Sequence, residues 1–458
     1  MSISTIRLQI LNFFTQGHQR SIEAKKNIVG EIAIKGLSIA ISLLMVPMTI
    51  HYINPTQYGI WLTISSMVAW ISFFDIGFTQ GLRNRFAEAK AQNDTELARI
   101  YISTTYFYMS IIFVGLWIIL IIANRFIDWG TLLNIKANLS QEVTSLVYII
   151  FSYFCLQFVF RIVSTILTAD QKPAKAAMLD LIGQTFSLII IYLLTKFTSG
   201  SLLFLGLALG VAPTLVIIGA NIFLFQTSYK KYAPAFRFVK NKFAKDIMSL
   251  GLKFFILQIA YIVQYQSTLF LIAHYFNTLQ VTSYNIAFKY FGILQMGFMI
   301  LIGPLWSGVT DAYNSGDLEW IKNAVKKYMY ILIPFVSTGI IMLLIAKPVY
   351  DLWLGKGIVN ISFNISLLCL ISFSTQMFAI IFVHVLNGIG ALQIQFYSSF
   401  ITSVGFILLS LILIKIFHFG IESILISSIL SNIFGYIIAP IQYYNIFVRK
   451  SKLRIWYS

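Results

Sequence analysis

The chain has 458 residues, of which 58% are hydrophobic and only 11% charged, and its mean hydropathy is +0.81. That balance excludes an ordinary soluble globular protein and places the chain in lipid. The net charge of +17 does not mark a nucleic-acid binder, because the Lys and Arg residues are spread through loops between apolar spans and form no single basic domain.

Taken in order, the first 26 residues are polar and basic, without the pattern of a cleavable signal, and a full-length apolar span follows. Twelve spans are expected, beginning near residues 29, 60, 100, 143, 174, 201, 252, 281, 328, 361, 393 and 420. Long runs without alternation, such as 111–123 and 401–414, predict helices and exclude a barrel, whose strands alternate with period two. Pro47, Pro213, Pro304, Pro334 and Pro440 lie within or at the ends of spans as candidate kinks or hinges. Cys155 and Cys369 both fall inside apolar spans, so neither a disulfide framework nor a metal site is readable.

An even number of spans puts both termini on one side. On that side fall 24 of the 33 Lys and Arg residues, against six on the opposite loops, and the positive-inside rule makes it the cytoplasm. The expected fold class is an all-α integral membrane protein with about twelve transmembrane helices in two parallel six-helix lobes. The lobes are residues 1–227 and 251–458, joined by a basic cytoplasmic linker at 228–250.

The two lobes follow from an internal repeat. His51-Tyr52-Ile53-Asn54-Pro55-Thr56-Gln57 returns as His274-Tyr275-Phe276-Asn277-Thr278-Leu279-Gln280, an offset of 223 residues. The same offset maps Asp94, Glu96 and Arg99 onto Asp317, Glu319 and Lys322, and Ala123 and Asp128 onto Ala346 and Asp351. So long a period suits a duplicated half-protein and not a solenoid. Six spans per half make the halves parallel.

Ionisable groups inside spans are costly and therefore face a cavity, pair with one another or reach the interface. Arg161 and Asp180 stand at similar depth on neighbouring antiparallel spans, as a buried pair or as cavity groups. Lys35 and Asp75 present the same choice. Lys289 differs, lying roughly 12 Å into its span at 1.5 Å per residue, with no acidic residue between Asp246 and Asp311. Asn285 is one turn away on the same face, and Gln258, Tyr261, Tyr265 and Thr268 form a stripe on the preceding span. A cation suits phosphate, and aromatic and amide groups suit sugar faces and hydroxyls. His51 and His274 fit turn geometry better than proton coupling. No phosphate-binding glycine loop, zinc-protease helix or other enzyme motif is present, and no outer loop exceeds roughly 20 residues.

Several stretches together resemble the bacterial polysaccharide flippases of the Wzx type, within the multidrug/oligosaccharidyl-lipid/polysaccharide exporter superfamily. They are Asn54-Pro-Thr-Gln-Tyr-Gly-Ile-Trp61, Asp75-Ile-Gly-Phe78, Val281-Thr-Ser-Tyr-Asn-Ile-Ala287, Gly303-Pro-Leu-Trp306, Asp311-Ala-Tyr-Asn-Ser-Gly-Asp317, Tyr350-Asp-Leu-Trp-Leu-Gly355 and Leu386-Asn-Gly-Ile-Gly390. The resemblance implies a twelve-helix transporter with a cationic central cavity. Such a protein moves undecaprenyl-pyrophosphate-linked sugar repeat units across the bacterial inner membrane by alternating access, driven by proton-motive force, as a monomer without a cofactor. It also implies a polysaccharide polymerase and a chain-length regulator as partners. Substrate-binding candidates are Lys289, Asn285, Tyr261, Tyr265, Lys253, Arg161, Lys35, Arg83 and Arg85; coupling or gating candidates are Asp75, Asp180, Asp311 and His384. Rival readings are a drug or peptidoglycan-precursor exporter of the same superfamily, or a membrane polymerase or glycosyltransferase.

Overall fold

Within hydrocarbon a backbone satisfies its own polar groups only as a helix or a closed barrel, and the chain takes the helical solution. The computed structural model describes residues 19–70, 77–135, 137–449 and 456; the side chains of 19–29, 31, 32, 80, 137, 138, 249–265 and 307 lie outside that description. In chain order the helices are α1 (Gln19–Tyr52), α2 (Pro55–Ala69), α3 (Phe78–Ala91), α4 (Thr95–Asn124), α5 (Trp129–Leu132), α6 (Ala137–Phe160), α7 (Ile162–Ala169), α8 (Pro173–Phe197) and α9 (Leu202–Gln226). Then come α10 (Asn241–Tyr275), α11 (Thr278–Asn314), α12 (Leu318–Leu344), α13 (Ala346–Leu354), α14 (Phe363–Gly388), α15 (Gln393–Lys415) and α16 (Glu422–Ser431). No strand occurs among the described residues.

Ten helical stretches among the described residues are long and apolar enough to cross a membrane, so the chain is an all-α, multi-pass membrane protein. Of the twelve expected spans, those near 60 and 252 are not among the ten. The first corresponds to α2, which has 15 residues and leads into the undescribed 71–76. The second corresponds to α10, a 35-residue helix in which the side chains of 249–265 are undescribed. Pro47, Pro213, Pro304 and Pro334 all lie inside long helices. Pro440 sits between two π-helical turns, 434–438 and 444–448, where the missing N–H breaks the regular ladder.

The repeat reappears as hydrogen-bond patterns. Asn54 caps α2 by accepting from Gln57 N, and Asn277 caps α11 by accepting from Gln280 N, each at 2.9 Å. Two residues past the end of α3 is Asn93 (φ +58°) and two past the end of α11 is Gly316 (φ +79°), and both take the left-handed conformation. In both turns the next Asp caps the following helix: Asp94 accepts from Leu97 N and Asp317 from Trp320 N. A third matched turn slips by four residues, with Lys172 N bonding Leu167 O as Ala391 N bonds Leu386 O. Asp128 and Asp351 break the correspondence. Asp128 caps the short α5, whereas Asp351 lies inside the longer α13, so the offset of 223 fails there.

Cα packing divides the chain into unit 1 (residues 1–53, 71–127 and 141–255) and unit 2 (54–70, 128–140 and 256–458). In unit 1, α1 packs on α8, and α8 on α9. The Tyr52 hydroxyl meets Thr198 Oγ1 at 2.9 Å and donates to Ser199 O at 3.1 Å. Two polar side chains inside this unit partner each other: Tyr106 donates to Asn221 Oδ1 at 2.5 Å, and Asn221 Nδ2 donates to Phe160 O at 2.7 Å, where α6 gives way to α7 at Arg161.

In unit 2, α11 is the central helix, packed against α14, α2 and α12 around buried Phe291, Phe298, Ile302 and Phe373. Where α2 and α11 cross, Thr282 Oγ1 donates to Pro55 O at 2.6 Å. A Cβ at Gly59 would overlap the carbonyl of Thr278, so only glycine fits. The two contacts are reciprocal: residues 55 and 59 of the first repeat meet 282 and 278 of the second, which are the repeat equivalents of 59 and 55. Alongside, Asn134 Nδ2 donates to Phe276 O at 2.9 Å and the His274 ring meets Leu132 O at 2.8 Å. The His274 ring thus bridges its own turn to the one that follows α5.

Gly59→Ala should lower the thermal unfolding temperature of the purified protein, by the equivalent of about 1–3 kcal/mol for an overpacked site. Gly115→Ala, where nothing lies within 4 Å of the added carbon, should leave it unchanged. Equal melting curves for the two variants would show that α2 and α11 do not touch this closely.

Candidate functional site

Helix α11 carries Lys289 on its twelfth residue, roughly 16 Å along the axis from Thr278 at 1.5 Å per residue. Asn285 is one turn earlier on the same face. The Asn285 side-chain oxygen is buried without a hydrogen-bond partner, and Lys289, at intermediate burial, joins no ion pair among the described residues. Around this pair the walls are aromatic. Tyr284 stacks on Phe288 with ring centroids 5.5 Å apart, and Phe288 packs on Phe373 of α14 at 4.7 Å. Two turns beyond Phe288, Gln295 Nε2 donates to Gln376 Oε1 at 3.2 Å and Gln376 Nε2 donates to Ser372 Oγ at 3.1 Å. A lone ammonium and, one turn away, an unpaired amide oxygen are groups that can bind anions and hydroxyls.

The other sequence candidates separate by partner. Arg161 Nη2 donates to both carboxylate oxygens of Asp180 at 3.1 Å, so the buried-pair expectation gives a real pair, although both side chains stay partly exposed. Arg85 is tied to Glu88 at 2.8 Å and to Asp246 at 2.6 Å, and the Tyr101 hydroxyl donates to the other oxygen of Asp246. Arg83 and Lys35 are exposed, as is Asp311 near the end of α11. His384 on α14 packs its ring 5.9 Å from that of Trp306, bonds the Ile302 carbonyl, and leaves Nδ1 buried without a partner. Lys253, Tyr261, Tyr265 and Asp75 lie outside the described side chains. The structure thus brings together Lys289 and Asn285, and separately Arg161 with Asp180.

Sequence reading missed the most buried carboxylate among the described residues. Asp170, with a side chain 1% exposed, receives Lys90, Lys172 at 2.5 Å and the Tyr229 hydroxyl at 2.5 Å. Burial, with the ammonium groups of Lys172 and Lys231 nearby, pushes the Lys90 pKa down. Burial pushes the Tyr229 phenol up to about 12, so it donates as a neutral hydroxyl. The available signal was an isolated acid in a turn otherwise flanked by cations. The Gln295–Gln376 pair was missed too, because a neutral amide inside a span stands out only when its partner is known. Among the described residues, no group of three His, Cys, Asp or Glu side chains could hold a metal ion.

Comparison with known proteins bears on the same residues. Residues 24–306 match a family model described as a polysaccharide biosynthesis protein. By sequence, no curated protein matches the chain. The fold is similar to that of a multidrug resistance MATE family transporter of the MOP superfamily in its inward-facing conformation, with a TM-score of 0.72, 13% identity, and coverage of 93% of this chain and 100% of the other. It is similar to the outward-facing conformation of such a transporter, with a TM-score of 0.59, 14% identity, and coverage of 94% and 97%. It is also similar to a variant of the Vibrio cholerae MATE transporter VcmN, with a TM-score of 0.61, 13% identity, and coverage of 95% and 100%. At these identities the likeness establishes the fold.

Asp170→Asn should lower the unfolding temperature by the equivalent of about 1–2 kcal/mol, less than for a fully buried pair because both lysines remain partly exposed. Added salt should recover part of the loss by screening the lysines from one another. An unchanged melting curve would show that solvent, and not Asp170, balances Lys90 and Lys172.

Proposed function

The chain belongs to the polysaccharide biosynthesis protein family, with the MATE transporter fold, and from that premise we propose that it is a flippase for lipid-linked sugar chains. Its substrate on this reading is an undecaprenyl-pyrophosphate-linked oligosaccharide, the repeat unit of an O antigen or capsule. Transport runs across the bacterial inner membrane with both chain termini in the cytoplasm. Lobes 1–227 and 251–458 rock about the 228–250 linker, and proton-motive force drives the cycle.

The observation that carries the proposal is Lys289 with Asn285: a cation inside a span, no carboxylate paired with it among the described residues, and a buried amide oxygen left open beside it. A diphosphate in hydrocarbon without a counter-charge costs several kcal/mol, so its path needs cations or water. Lys289 supplies the charge and Asn285 accepts from a sugar hydroxyl. Tyr261 and Tyr265 take the first sugars, while Lys253, Lys35, Arg83, Arg85 and Arg161 receive the headgroup on entry. Of the titratable groups, Asp75, Asp180, Asp311 and His384 serve coupling or gating. A cationic drug would require a carboxylate where Lys289 stands, which disfavours drug export. The polymerase and chain-length regulator of the same assembly line are the expected partners.

Lys289→Ala should abolish surface polysaccharide in a flippase-deficient strain while the protein stays in the membrane. Lys289→Arg should retain part of the activity because the charge remains, and Lys289→Glu should be at least as damaging as Ala. The readout is the polysaccharide ladder on a gel at matched protein levels. A normal ladder from the Ala and Glu variants would remove Lys289 from the pathway.

A further inference from the structure

The basic segment between α9 and α10 is a shaped surface. Two 3₁₀ turns, 230–232 and 236–238, build it, and three contacts pin it to α4. Ala235 N donates to Ser103 Oγ at 3.1 Å, Lys240 N donates to Thr104 Oγ1 at 3.2 Å, and Arg99 Nε donates to Ala233 O at 2.7 Å. The Arg99 guanidinium also lies over the Phe238 ring, 4.3 Å from its centroid. Tyr229 and Tyr232 are buried beneath, Tyr232 edge-on against Phe86. Phe236 is the exception: it is 85% exposed, a large apolar side chain held outward by a pinned backbone.

Beside Phe236 is a cavity of about 260 Å³ lined by Ser103, Tyr106, Phe107, Ser110 and Pro234. In the same segment as the lining residues Pro234, Phe236 and Val239, Lys230, Lys231, Arg237 and Lys240 are exposed and form no ion pair among the described residues. The acids Glu88 and Asp246 are already held by Arg85, and Asp170 by Lys90 and Lys172. The 30 residues of α4 are roughly 45 Å long at 1.5 Å per residue, against about 30 Å of hydrocarbon. The excess is about 15 Å, or ten residues, so the segment pinned at Arg99, Ser103 and Thr104 lies near the boundary between headgroups and acyl chains. Surplus cation, an outward aromatic and a small recess at that depth have one chemical complement.

We propose that this cavity and its basic rim are a docking site for the headgroup of an anionic glycerophospholipid of the leaflet that faces the linker. The phosphate lies among Lys230, Lys231, Arg237 and Lys240, the glycerol enters the recess, and an acyl chain runs along Phe236 and Phe107. Zwitterionic lipids bring no net charge to balance the rim and bind less. The recess holds a glycerophosphate; a sugar repeat unit is too large for it. Bound lipid then fixes the loop to the membrane surface while the helices around it move.

The test is native mass spectrometry of the full-length protein released from mixed phosphatidylglycerol and phosphatidylcholine nanodiscs. The wild type should retain phosphatidylglycerol preferentially. The triple variant Lys230→Gln, Lys231→Gln, Arg237→Gln should lose about tenfold of that preference, Phe236→Ser should weaken retention of both lipids, and the control Lys322→Gln should behave as wild type. All of these side chains are exposed or partly so, and circular dichroism checks that the variants keep their helix content. Equal phosphatidylglycerol retention by wild type and triple variant would overturn the proposal. So would displacement of the bound lipid by micromolar inorganic pyrophosphate, which would assign the rim to a diphosphate ligand instead.

Discussion

The carbonyl of Thr278 occupies the space where any residue other than glycine at position 59 would begin its side chain. That close approach fixes the crossing of α2 and α11, and the crossing fixes much else in unit 2. Two helix N-termini, each capped by an Asn, meet there, and each carries the positive end of its helix dipole. Aligned positive ends repel, and the Thr282 to Pro55 bond together with close backbone packing offsets the repulsion. One consequence is a positive potential at the start of the helix that also carries Lys289. The packing of Phe288 on Phe373 then orients the remaining length of α11 against α14.

At the loops of unit 1 the chemistry runs the other way. Asp170 and Asp246 are each shared between at least two donors from different elements, so these two carboxylates tie helices and linker together. Because acids are scarce, 16 against 33 Lys and Arg residues, this use leaves a surplus of cations. That surplus lies in the loops between spans, the distribution that the positive-inside rule describes.

The parts of the fold legible in sequence were those governed by local rules. Asn54 and Asn277, Asp94 and Asp317 are caps, and capping needs only residues three positions apart, so the repeat could be read from them directly. Arg161 with Asp180 was legible because short loops fix depth on adjacent helices. Gly59 was not, since a glycine required by a helix 220 residues away looks like any other. The Asp128–Asp351 match was misleading because two short helices of different length followed the repeat, moving one Asp from a cap into a helix interior. At the site, Asn285 was found by helical spacing, whereas the Gln295–Gln376 pair depends on tertiary packing that no spacing reveals.

The same reasoning bears on why Lys289 stands apart. A protein with a surplus of cations has many that mean little singly, exposed on loops where water solvates them. Inside a span that solvation is weaker, and the fold answers it at Arg161 with Asp180. Lys289 receives no such answer among the described residues, and the neighbouring Asn285 oxygen, an acceptor, is left open as well. Packing alone would favour replacing both by apolar residues, since an unmet polar group in a buried position costs about 1–3 kcal/mol. A cation and an acceptor left open side by side are the arrangement expected where a ligand that is both anionic and hydroxylated completes the bonding during its passage.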